Sequence, residues 1–429
     1  MEEALRVLEY LTKFGINLGL ERIKALLHQL DNPQKFLKVI HIAGTNGKGS
    51  TGAIISAVLQ TVGYRVGAFT SPHLVSYTER ISINGVPITE KEFAALLSVV
   101  ASSFQKVQDA TGENPTEFEV LTAMALLYFH IQQVDIVILE VGMGGDIDST
   151  NVISAPLLSV ITNVSIEHKE YLGASLPEIA EKKSGIIKAQ RPVITASNNE
   201  AVLAVLSQKA RDNKSEFHEV YREMRWSLEE ETSDGQTFKL QSTQQEYGSL
   251  YLSLRGEHQV VNAATALLAL EVLVTLGWRI TLEDIRAGLS VVRWPGRLEV
   301  VNTEPLVLID SAHNPAGMEV LANWLRKQRP KFKNVIFVIG MLADKDRAAS
   351  VRYIDELVDK VIITKPPSSR AGDFEEMSSY FTKTKENIIV IESLYAALET
   401  AMGYAKKGDI LLVAGSIYLI GEVRRYFQK

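Results

Sequence analysis

The sequence predicts an α/β protein of two domains. The first is a mostly parallel, P-loop-type sheet domain with a small antiparallel β excursion, and the second is a Rossmann-like α/β domain. Short apolar runs alternate with helical patterns, which indicates parallel strands covered by helices. A chain of 429 residues also exceeds the usual size of one hydrophobic core. Pro and Gly interrupt the pattern at 293–297, so we expect domains at 1–295 and 296–429.

The elements of the first domain follow from these patterns in chain order. The first thirty residues have the spacing of an amphipathic helix, and four short apolar runs are typical of buried strands. Strands are expected at 36–42, 65–69, 136–141 and 157–162, and helices at 51–62, 90–108, 118–132, 259–276 and 281–289. Residues 214–254 are polar and alternate in hydropathy, which predicts the antiparallel excursion.

The alternation restarts in the second domain, whose roughly 130 residues are a normal domain size. Strands are expected at 307–310, 334–339, 360–364, 388–391 and 409–414, with helices between them.

Composition excludes several classes of function. A net charge of -6 argues against general nucleic-acid binding, and the absence of Cys excludes disulfides, thiolate catalysis and Cys-ligated metals. The start of the chain lacks a signal-peptide pattern, and the apolar stretch 263–278 is interrupted by Glu271. A cytoplasmic protein without nucleic-acid or membrane partners is therefore expected.

A Gly-rich segment after the first predicted strand predicts a phosphate-binding loop for ATP. It reads Gly44-Thr45-Asn46-Gly47-Lys48-Gly49-Ser50-Thr51. Its glycines permit positive φ, so backbone N–H groups turn inward, and the next helix adds its positive end. Lys48 supplies charge for the β- and γ-phosphates. The spacing departs from the common G-x-x-x-x-G-K-[ST] pattern, and a helix-capping turn is the alternative.

Polar residues follow other predicted strands, at the positions where open α/β sheets bind ligands. Glu140 could ligate Mg²⁺ or form an ion pair with Lys48. His168 could be a metal ligand or an ordinary histidine of the surface or core. Ser71 could offer the metal a hydroxyl, although a Ser-Pro segment is typical of a simple turn.

Two further segments have a plain structural alternative. Lys182 and Lys183 end a predicted helix, where cations are favourable without any function. In the second domain Asp310 and His313 follow the first strand, and the adjacent Pro315 is typical of a helix start. If the two sheets confront each other, Asp310 and His313 face the region between the domains.

Together these motifs resemble the folylpolyglutamate synthase/dihydrofolate synthase family, within the wider group of Mur-type ATP-dependent amide ligases. The resemblance covers nearly the whole chain, and 44–50 and 139–151 are its most specific stretches. The other matching segments are 14–22, 71–74, 262–264, 294–297, 310–315 and 342–346.

The resemblance implies a role for individual residues. The implied ATP-binding residues are Gly44, Thr45, Asn46, Gly47, Lys48, Gly49, Ser50, Asn262, Arg297 and Asp310. The implied ligands of two Mg²⁺ ions are Ser71, Glu140 and His168. The implied pteroyl-substrate residues are Pro72, His73, Thr116, Glu117, Phe118, Glu119, Ile147, Asp148 and Ser149, and those for glutamate are His313 and Ser416. The implied catalytic residues are Lys48, Lys183, His313 and Arg297.

Three positions qualify this assignment. Lys183 falls where such ligases carry a carbamylated lysine. Because a carbamate forms only from a neutral amine, the site would have to lower the pKa of this lysine. Asp146 stands where many members have Arg, which alters the charge beside the implied pterin pocket. Ser311 stands where many members have Gly, a small change.

The implied activity is ATP-dependent amide formation through an acyl phosphate. We expect a monomer that joins L-glutamate to the γ-carboxyl of tetrahydrofolate polyglutamates, with ATP as co-substrate. One alternative is the dihydrofolate synthase reaction, alone or as a second activity, in which glutamate is joined to dihydropteroate. A cell-wall precursor ligase and an ATP-gated binding protein without ligase chemistry are more distant alternatives.

Overall fold

The computed structural model describes residues 1–15 and 17–428. Ile16, which belongs to the matching segment 14–22, lies outside the described residues. The chain divides into two compact units: unit 1 contains 1–253 and 259–293, and unit 2 contains 254–258 and 294–429. The short segment 254–258 carries no composition signal of its own, so sequence patterns did not separate it from its neighbours.

Unit 1 is built on an eight-stranded sheet of order β4-β3-β2-β5-β1-β6-β7-β8. Its strands are β1 (Val39–Ala43), β2 (Val66–Phe69), β3 (Ile81–Ile83), β4 (Val86–Pro87), β5 (Ile136–Glu140), β6 (Leu158–Ile161), β7 (Val193–Thr195) and β8 (Phe217–Glu219). All pairings are parallel except β2–β3 and β3–β4, which are antiparallel. Every residue of β1 and β5 is buried, as expected when helices cover both faces of a parallel sheet. The predicted α/β class is confirmed.

Helices surround this sheet in the predicted alternation. They are α1 (Glu2–Thr12), α2 (Glu21–His28), α3 (Lys48–Val62), α4 (Glu90–Ala101), α5 (Phe104–Thr111), α6 (Glu117–Ile131), α7 (Lys169–Leu172), α8 (Leu176–Ser184), α9 (Glu200–Asp212), α10 (Val220–Glu223), α11 (Glu257–Thr275) and α12 (Leu282–Val291).

Two predicted helices are each divided in the structure. The first thirty residues form α1 and α2 instead of one helix, because Gly15 and Gly19 between them adopt positive φ. The segment 90–108 forms α4 and α5, which are separated at Ser102 and Ser103. The Ser102 hydroxyl donates to the carbonyl of Val99, so the side chain competes for a helix-end acceptor.

The antiparallel excursion is a three-stranded sheet of order β11-β10-β9. Its strands are β9 (Met224–Glu231), β10 (Gln236–Ser242) and β11 (Glu246–Leu252). The predicted range began too early, since β8 instead extends the main sheet parallel to β7. The buried carboxylate of Glu271, on α11, anchors the excursion by accepting hydrogen bonds from Tyr247 (2.7 Å) and Ser242 (2.6 Å).

Unit 2 contains a six-stranded sheet of order β12-β13-β17-β14-β15-β16. Its elements are β12 (Glu299–Thr303), β13 (Leu306–Ile309), α13 (Pro315–Gln328), β14 (Val335–Ile339), α14 (Arg347–Ile354), β15 (Lys360–Ile363), β16 (Ile388–Val390), α15 (Leu394–Tyr404), β17 (Ile410–Ala414) and α16 (Ile417–Phe427). All pairs are parallel except the hairpin of β12 and β13. Sequence patterns missed β12, because this edge strand is only partly buried and carries no apolar run.

Within the described residues, α11 alone is long and apolar enough to cross a membrane, and 78% of its apolar window is buried in the protein. Such burial is also what a core helix of a globular protein shows.

Candidate active site

The Gly-rich loop lies between β1 and α3, at the carboxyl edge of the unit 1 sheet. Gly44 has a φ of 145°, and a Cβ there would lie 1.9 Å from the Thr162 hydroxyl oxygen. Gly47 has a φ of 86°, and a Cβ there would lie 2.5 Å from the Asn262 side-chain oxygen. Conformation and close packing both require glycine at these positions, as expected for a loop whose backbone binds phosphate.

The residues that follow β6 fix the shape of this loop. The backbone N–H of Thr45 donates to the carbonyl of Asn163 (2.9 Å), and that of Asn46 to the Asn163 side chain (2.8 Å). The Thr162 hydroxyl donates to the carbonyl of Asn46 (2.7 Å). Sequence reasoning gave Thr162 and Asn163 no role, although their position directly after a buried strand was the available signal.

Lys48 begins α3 and lies between the loop and a buried carboxylate. Its ammonium group donates to the carbonyls of Gly44 (2.9 Å) and Thr45 (3.3 Å) and is 4.0 Å from Glu140 Oε1. Glu140 is only 5% exposed at the end of β5. The ion pair considered as an alternative role for Glu140 is therefore present, at the long end of the range.

The remaining loop residues lie in the first turn of α3. Gly49, Ser50 and Thr51 are all buried there. The Thr51 hydroxyl has no hydrogen-bond partner among the described residues. A helix N-terminus with hydroxyls in its first turn is a favourable place for phosphate and a phosphate-bound cation.

A buried ion pair joins Lys183, near the end of α8, to Glu167. Lys183 Nζ lies 2.7 Å from Glu167 Oε1, and the lysine side chain is 1% exposed. Burial lowers the pKa of Lys183, although the charge of Glu167 opposes the shift. Burial alone would raise the pKa of Glu167, but the charges of Lys183 and Lys48 outweigh it and lower that pKa to about 2.

Lys183 therefore does not fit the alternative of an exposed cation in a last helical turn, because it is buried and paired with Glu167. Lys182 fits that alternative better, because it is 38% exposed and pairs with Asp146 at 3.1 Å. Sequence analysis gave Glu167 no role, although it stands directly before His168.

The residues implied as magnesium ligands follow neighbouring strands. Phe69 of β2 is paired with Leu139 of β5, so Ser71 and Glu140 both lie at the carboxyl edge of the sheet. His168 adopts a left-handed conformation (φ 44°) at the start of α7. No cluster of three or more His, Asp and Glu side chains suited to a metal occurs among the described residues. One carboxylate beside a phosphate-binding loop nevertheless fits Mg²⁺, which is commonly held by one or two carboxylates, substrate phosphates and water.

The implied pteroyl residue His73 is held by a neighbouring arginine. Arg80 Nε donates to His73 Nδ1 at 2.9 Å, so the imidazole is neutral with its proton on Nε2. Burial, assisted by the charge of Arg80, lowers the pKa of His73 to about 3. The ring also lies 4.3 Å from that of Tyr77, whereas Pro72 is exposed.

The four implied residues at the start of α6 divide into two pairs. Thr116 and Glu119 form a capping box, and Glu119 also accepts from Arg22 Nε at 3.1 Å. Their side chains thus hold the helix start. Glu117 and Phe118 are partly exposed and therefore available to a ligand.

Asp148 shapes the loop that follows β5. Its carboxylate accepts from the backbone N–H of Met143 (2.9 Å) and from both the N–H (2.9 Å) and hydroxyl (2.5 Å) of Thr150. Burial raises the pKa of Asp148, while these donors oppose the rise. The implied neighbours Ile147 and Ser149 belong to the same loop, so Asp148 determines where they lie.

In unit 2, Asp310 fixes the segment that carries Arg297. Its two oxygens accept from the backbone N–H groups of Leu298 (3.0 Å) and Ala312 (2.9 Å). Burial raises the pKa of Asp310, and the charge of Arg297 opposes the rise. Asp310 and Arg297 therefore act on one another directly.

His313 follows β13 in an orientation set by the backbone. Its Nδ1 is 2.8 Å from the carbonyl of Ser311, so Nδ1 carries a proton that it donates to this carbonyl. The alternative of a helix start at Pro315 is also confirmed. Asn314 caps α13 by accepting from the N–H of Gly317 (2.7 Å).

Ser416 is the N-cap residue directly before α16, at the carboxyl end of β17, the neighbour of β13. Ser416 is 2% exposed and Ser311 4% exposed. Neither hydroxyl has a hydrogen-bond partner in the part of the chain that the structure describes. Two buried donors therefore lie at this edge of the second sheet.

Comparison with known proteins agrees with this geometry. Residues 42–270 match the Mur ligase middle domain, and residues 296–417 match the Mur ligase, glutamate ligase domain. A dihydrofolate synthase/folylpolyglutamate synthase of Bacillus subtilis is 37% identical over 425 residues, covering 96% of both chains. A folylpolyglutamate synthase of Lacticaseibacillus casei is 34% identical and covers 94% of this chain and 93% of its own.

Solved structures show the same similarity in three dimensions. A folylpolyglutamate synthase of Mycobacterium tuberculosis complexed with ADP has a TM-score of 0.92 and 32% identity, with 100% of this chain and 99% of the other covered. An E. coli structure described as FolC in complex with DHPP and ADP has a TM-score of 0.87 and 30% identity, covering 99% and 97%. With these matches over its whole length, the chain belongs to the folylpolyglutamate synthase/dihydrofolate synthase family of Mur-type, ATP-dependent amide-bond ligases.

Proposed function

We propose that this chain adds L-glutamate to the γ-carboxyl of (tetrahydro)folate polyglutamates through an acyl phosphate, converting ATP to ADP and phosphate. The observation that carries the proposal is the Gly-rich loop, whose Lys48 lies 4.0 Å from Glu140 at the sheet edge. The proposal is tested by measuring ADP release with and without glutamate and a pteroyl acceptor.

The first step brings two anions together. An oxygen of the acceptor carboxylate attacks the γ-phosphorus, and the bond from that phosphorus to ADP breaks. Lys48 and the inward N–H groups of the loop offset the repulsion between carboxylate and phosphate. The hydrogen bonds from the N–H groups of Thr45 and Asn46 to Asn163 hold the backbone of the loop, and Glu140 lies beside Lys48, so the loop needs little rearrangement when ATP binds.

The second step forms the amide. The amine nitrogen of glutamate attacks the activated carbonyl carbon, and the bond to phosphate breaks. The ammonium group of glutamate must first lose a proton, and we assign its acceptance to the imidazole of His313, whose orientation is set by the bond from Nδ1 to Ser311. The buried hydroxyls of Ser416 and Ser311 and the N-terminus of α16 suit a carboxylate of the incoming glutamate.

We assign Ser71, Glu140 and His168 to the holding of two Mg²⁺ ions beside the nucleotide phosphates. Bound there, the ions would neutralise phosphate charge and orient the γ-phosphate. The chain's contribution is the placement of Ser71 and Glu140 after paired strands.

The proposal also includes carbamylation of Lys183. Burial favours the neutral amine that carbamylation needs, whereas Glu167 favours the ammonium form. A carbamate would also lie beside the Glu167 carboxylate, so it requires a cation between the two anions. Enzyme prepared with ¹³C-bicarbonate and Mg²⁺ should show a carbamate signal that Lys183→Arg lacks, and an unlabelled wild type would contradict carbamylation.

A second candidate reaction is the joining of glutamate to dihydropteroate, which the names of several relatives include. The Asp146–Lys182 ion pair supports this second reaction. Lys182 offsets the negative charge that Asp146 adds beside the implied pterin pocket, so the charge does not exclude dihydropteroate. An assay that compares dihydropteroate with tetrahydrofolate as acceptor separates the two activities.

We also propose that the enzyme works as a cytoplasmic monomer with small-molecule partners only: ATP, L-glutamate and a pteroyl acceptor. Light scattering coupled to size-exclusion chromatography should give the mass of one chain, and the mass of two would contradict the monomer.

A further inference from the structure

One polar residue interrupts the apolar strand that leads into the Gly-rich loop. His41 lies in the middle of β1, three residues before Gly44, and is fully buried. Its Nε2 is 2.8 Å from the Thr150 hydroxyl. Neither the family motifs nor the proposed chemistry gives this histidine a role.

The direction of its hydrogen bond follows from the partners. The Thr150 hydroxyl has one proton, which it donates to the Asp148 carboxylate at 2.5 Å. Its oxygen must therefore accept from His41, which places the imidazole proton on Nε2. Burial, with a contribution from the charge of Lys188, lowers the pKa of His41 to about 3, which agrees with a neutral ring.

The hydrogen bonds then continue into the loop after β5. Asp148 accepts from the N–H of Met143 as well as from Thr150, so its carboxylate ties together both ends of the segment 143–150. His41 connects this segment to β1, the strand that also carries the Gly-rich loop. A single strand thus holds both loops in place.

We propose that His41 is a positioning residue that fixes the 143–150 segment, and with it the acceptor-binding residues, relative to the ATP loop. This inference rests on the proposed function for the identity of the acceptor. His41 does not touch the reacting atoms. It acts through Thr150 and Asp148, so its loss should weaken acceptor binding more than ATP binding.

The test compares two substitutions of the same histidine. His41→Leu removes the donor, whereas the amide nitrogen of His41→Gln reaches about as far as Nε2 and can still donate. We expect His41→Leu to raise the KM for the pteroyl acceptor about tenfold, the size of one lost hydrogen bond to a polar network, with the KM for ATP within about twofold. His41→Gln should restore most of the loss, and equal defects in both variants would overturn the inference.

A second measurement keeps the inference testable if His41→Leu folds poorly. Thr150→Val removes the same link from the other side, and amide hydrogen exchange should be faster across 143–150 in both variants. Ser159→Ala is the matched control, because Ser159 is paired with His41 in the adjacent strand but donates to Ile186 (2.8 Å), outside this segment. Unchanged exchange across 143–150 in folded His41→Leu and Thr150→Val would contradict the inference. Absence of glutamate-dependent turnover in the wild type would instead contradict the proposed function, since the exchange measurement needs no activity.

Discussion

The carboxyl edges of the two sheets differ in how they use charge. The edge of unit 1 combines two lysines with two carboxylates: Lys48 lies 4.0 Å from Glu140, and Lys183 lies 2.7 Å from Glu167. At the edge of unit 2, the described residues include the buried carboxylate of Asp310, which accepts from backbone N–H groups, together with buried hydroxyls.

This difference matches two kinds of ligand. Concentrated, closely spaced charges suit a polyphosphate whose γ-phosphate meets another anion. Hydroxyl donors and an imidazole held by the backbone suit an amino acid, which needs orientation and the removal of one proton. Substitutions of the charged pairs at the unit 1 edge should therefore alter ATP chemistry and stability, whereas substitutions of the buried hydroxyls at the unit 2 edge should alter the use of glutamate.

The largest effect is expected for Lys48→Ala. Without this ammonium group the approach of the acceptor carboxylate to the γ-phosphate is unscreened, so ADP release should fall by at least about a hundredfold. Lys38→Ala is the control, because Lys38 is an exposed cation just before β1 that lies over the ring of Trp278. Near-normal turnover in Lys48→Ala would refute the assigned role.

Glu167→Gln tests whether the second ion pair of unit 1 stabilises the fold. In metal-free enzyme whose Lys183 is unmodified, the substitution leaves the buried ammonium group unpaired, so the free energy of unfolding should fall by about 3–5 kcal/mol at neutral pH. Replacing both residues with apolar side chains, Glu167→Leu and Lys183→Met, should recover much of this loss. If Glu167→Gln is as stable as the wild type in urea unfolding, the ion pair does not stabilise the fold.

The same pair predicts a pH dependence. The pKa of Glu167 is lowered from 4.5 to about 2 in the folded state, so its stabilisation is complete above pH 4.5 and is lost as pH falls towards 2. The difference in unfolding free energy between wild type and Glu167→Gln should shrink over that interval. A difference that stays constant from pH 6 to pH 3 would exclude the ion pair as its origin.

In unit 2, Ser416→Ala should raise the KM for glutamate about tenfold, with a smaller, roughly threefold rise for Ser311→Gly, because each removes one donor to a charged group. The KM for ATP should change little in either variant. Ser379→Ala is the control, since that exposed hydroxyl donates to the backbone carbonyl of Glu376 in unit 2. A changed KM for ATP with an unchanged KM for glutamate would contradict the assignment of both hydroxyls to glutamate binding.

The smallest effect is expected at the Asp146–Lys182 pair, which is partly exposed and therefore weak. Lys182→Ala uncovers the charge of Asp146, so any activity with dihydropteroate should fall a few-fold relative to that with tetrahydrofolate. Asp146→Asn combined with Lys182→Ala should reverse the change. An unaltered ratio of the two activities would show that the pair lies outside the acceptor's influence.

Sequence patterns predicted the parts of the fold that depend on local periodicity. Buried strands such as β5 and β14 are continuous apolar runs, so they were located to within about one residue. The division of the first helix and the edge strand β12 were missed, because they depend on glycine conformation and on pairing with β13. Pairing partners distant in the chain leave no local signal.

The candidate site shows the same limit. Lys48 and Glu140 were selected because glycines and strand ends mark them in the sequence. Glu167 and Thr150 acquire their roles only through partners 16 and 109 residues away, at Lys183 and His41. The polar His41 within an apolar strand was the one available sign of the second network.

The most direct test of the central claim is ADP release by the wild-type enzyme with ATP and Mg²⁺, with glutamate and a tetrahydrofolate acceptor added separately and together. The proposed ligase releases ADP in proportion to the amide formed, and only when both are present. ADP release that does not depend on glutamate and acceptor, or nucleotide binding without ADP release, would contradict the ligase function. Either result would favour an ATP-gated binding protein.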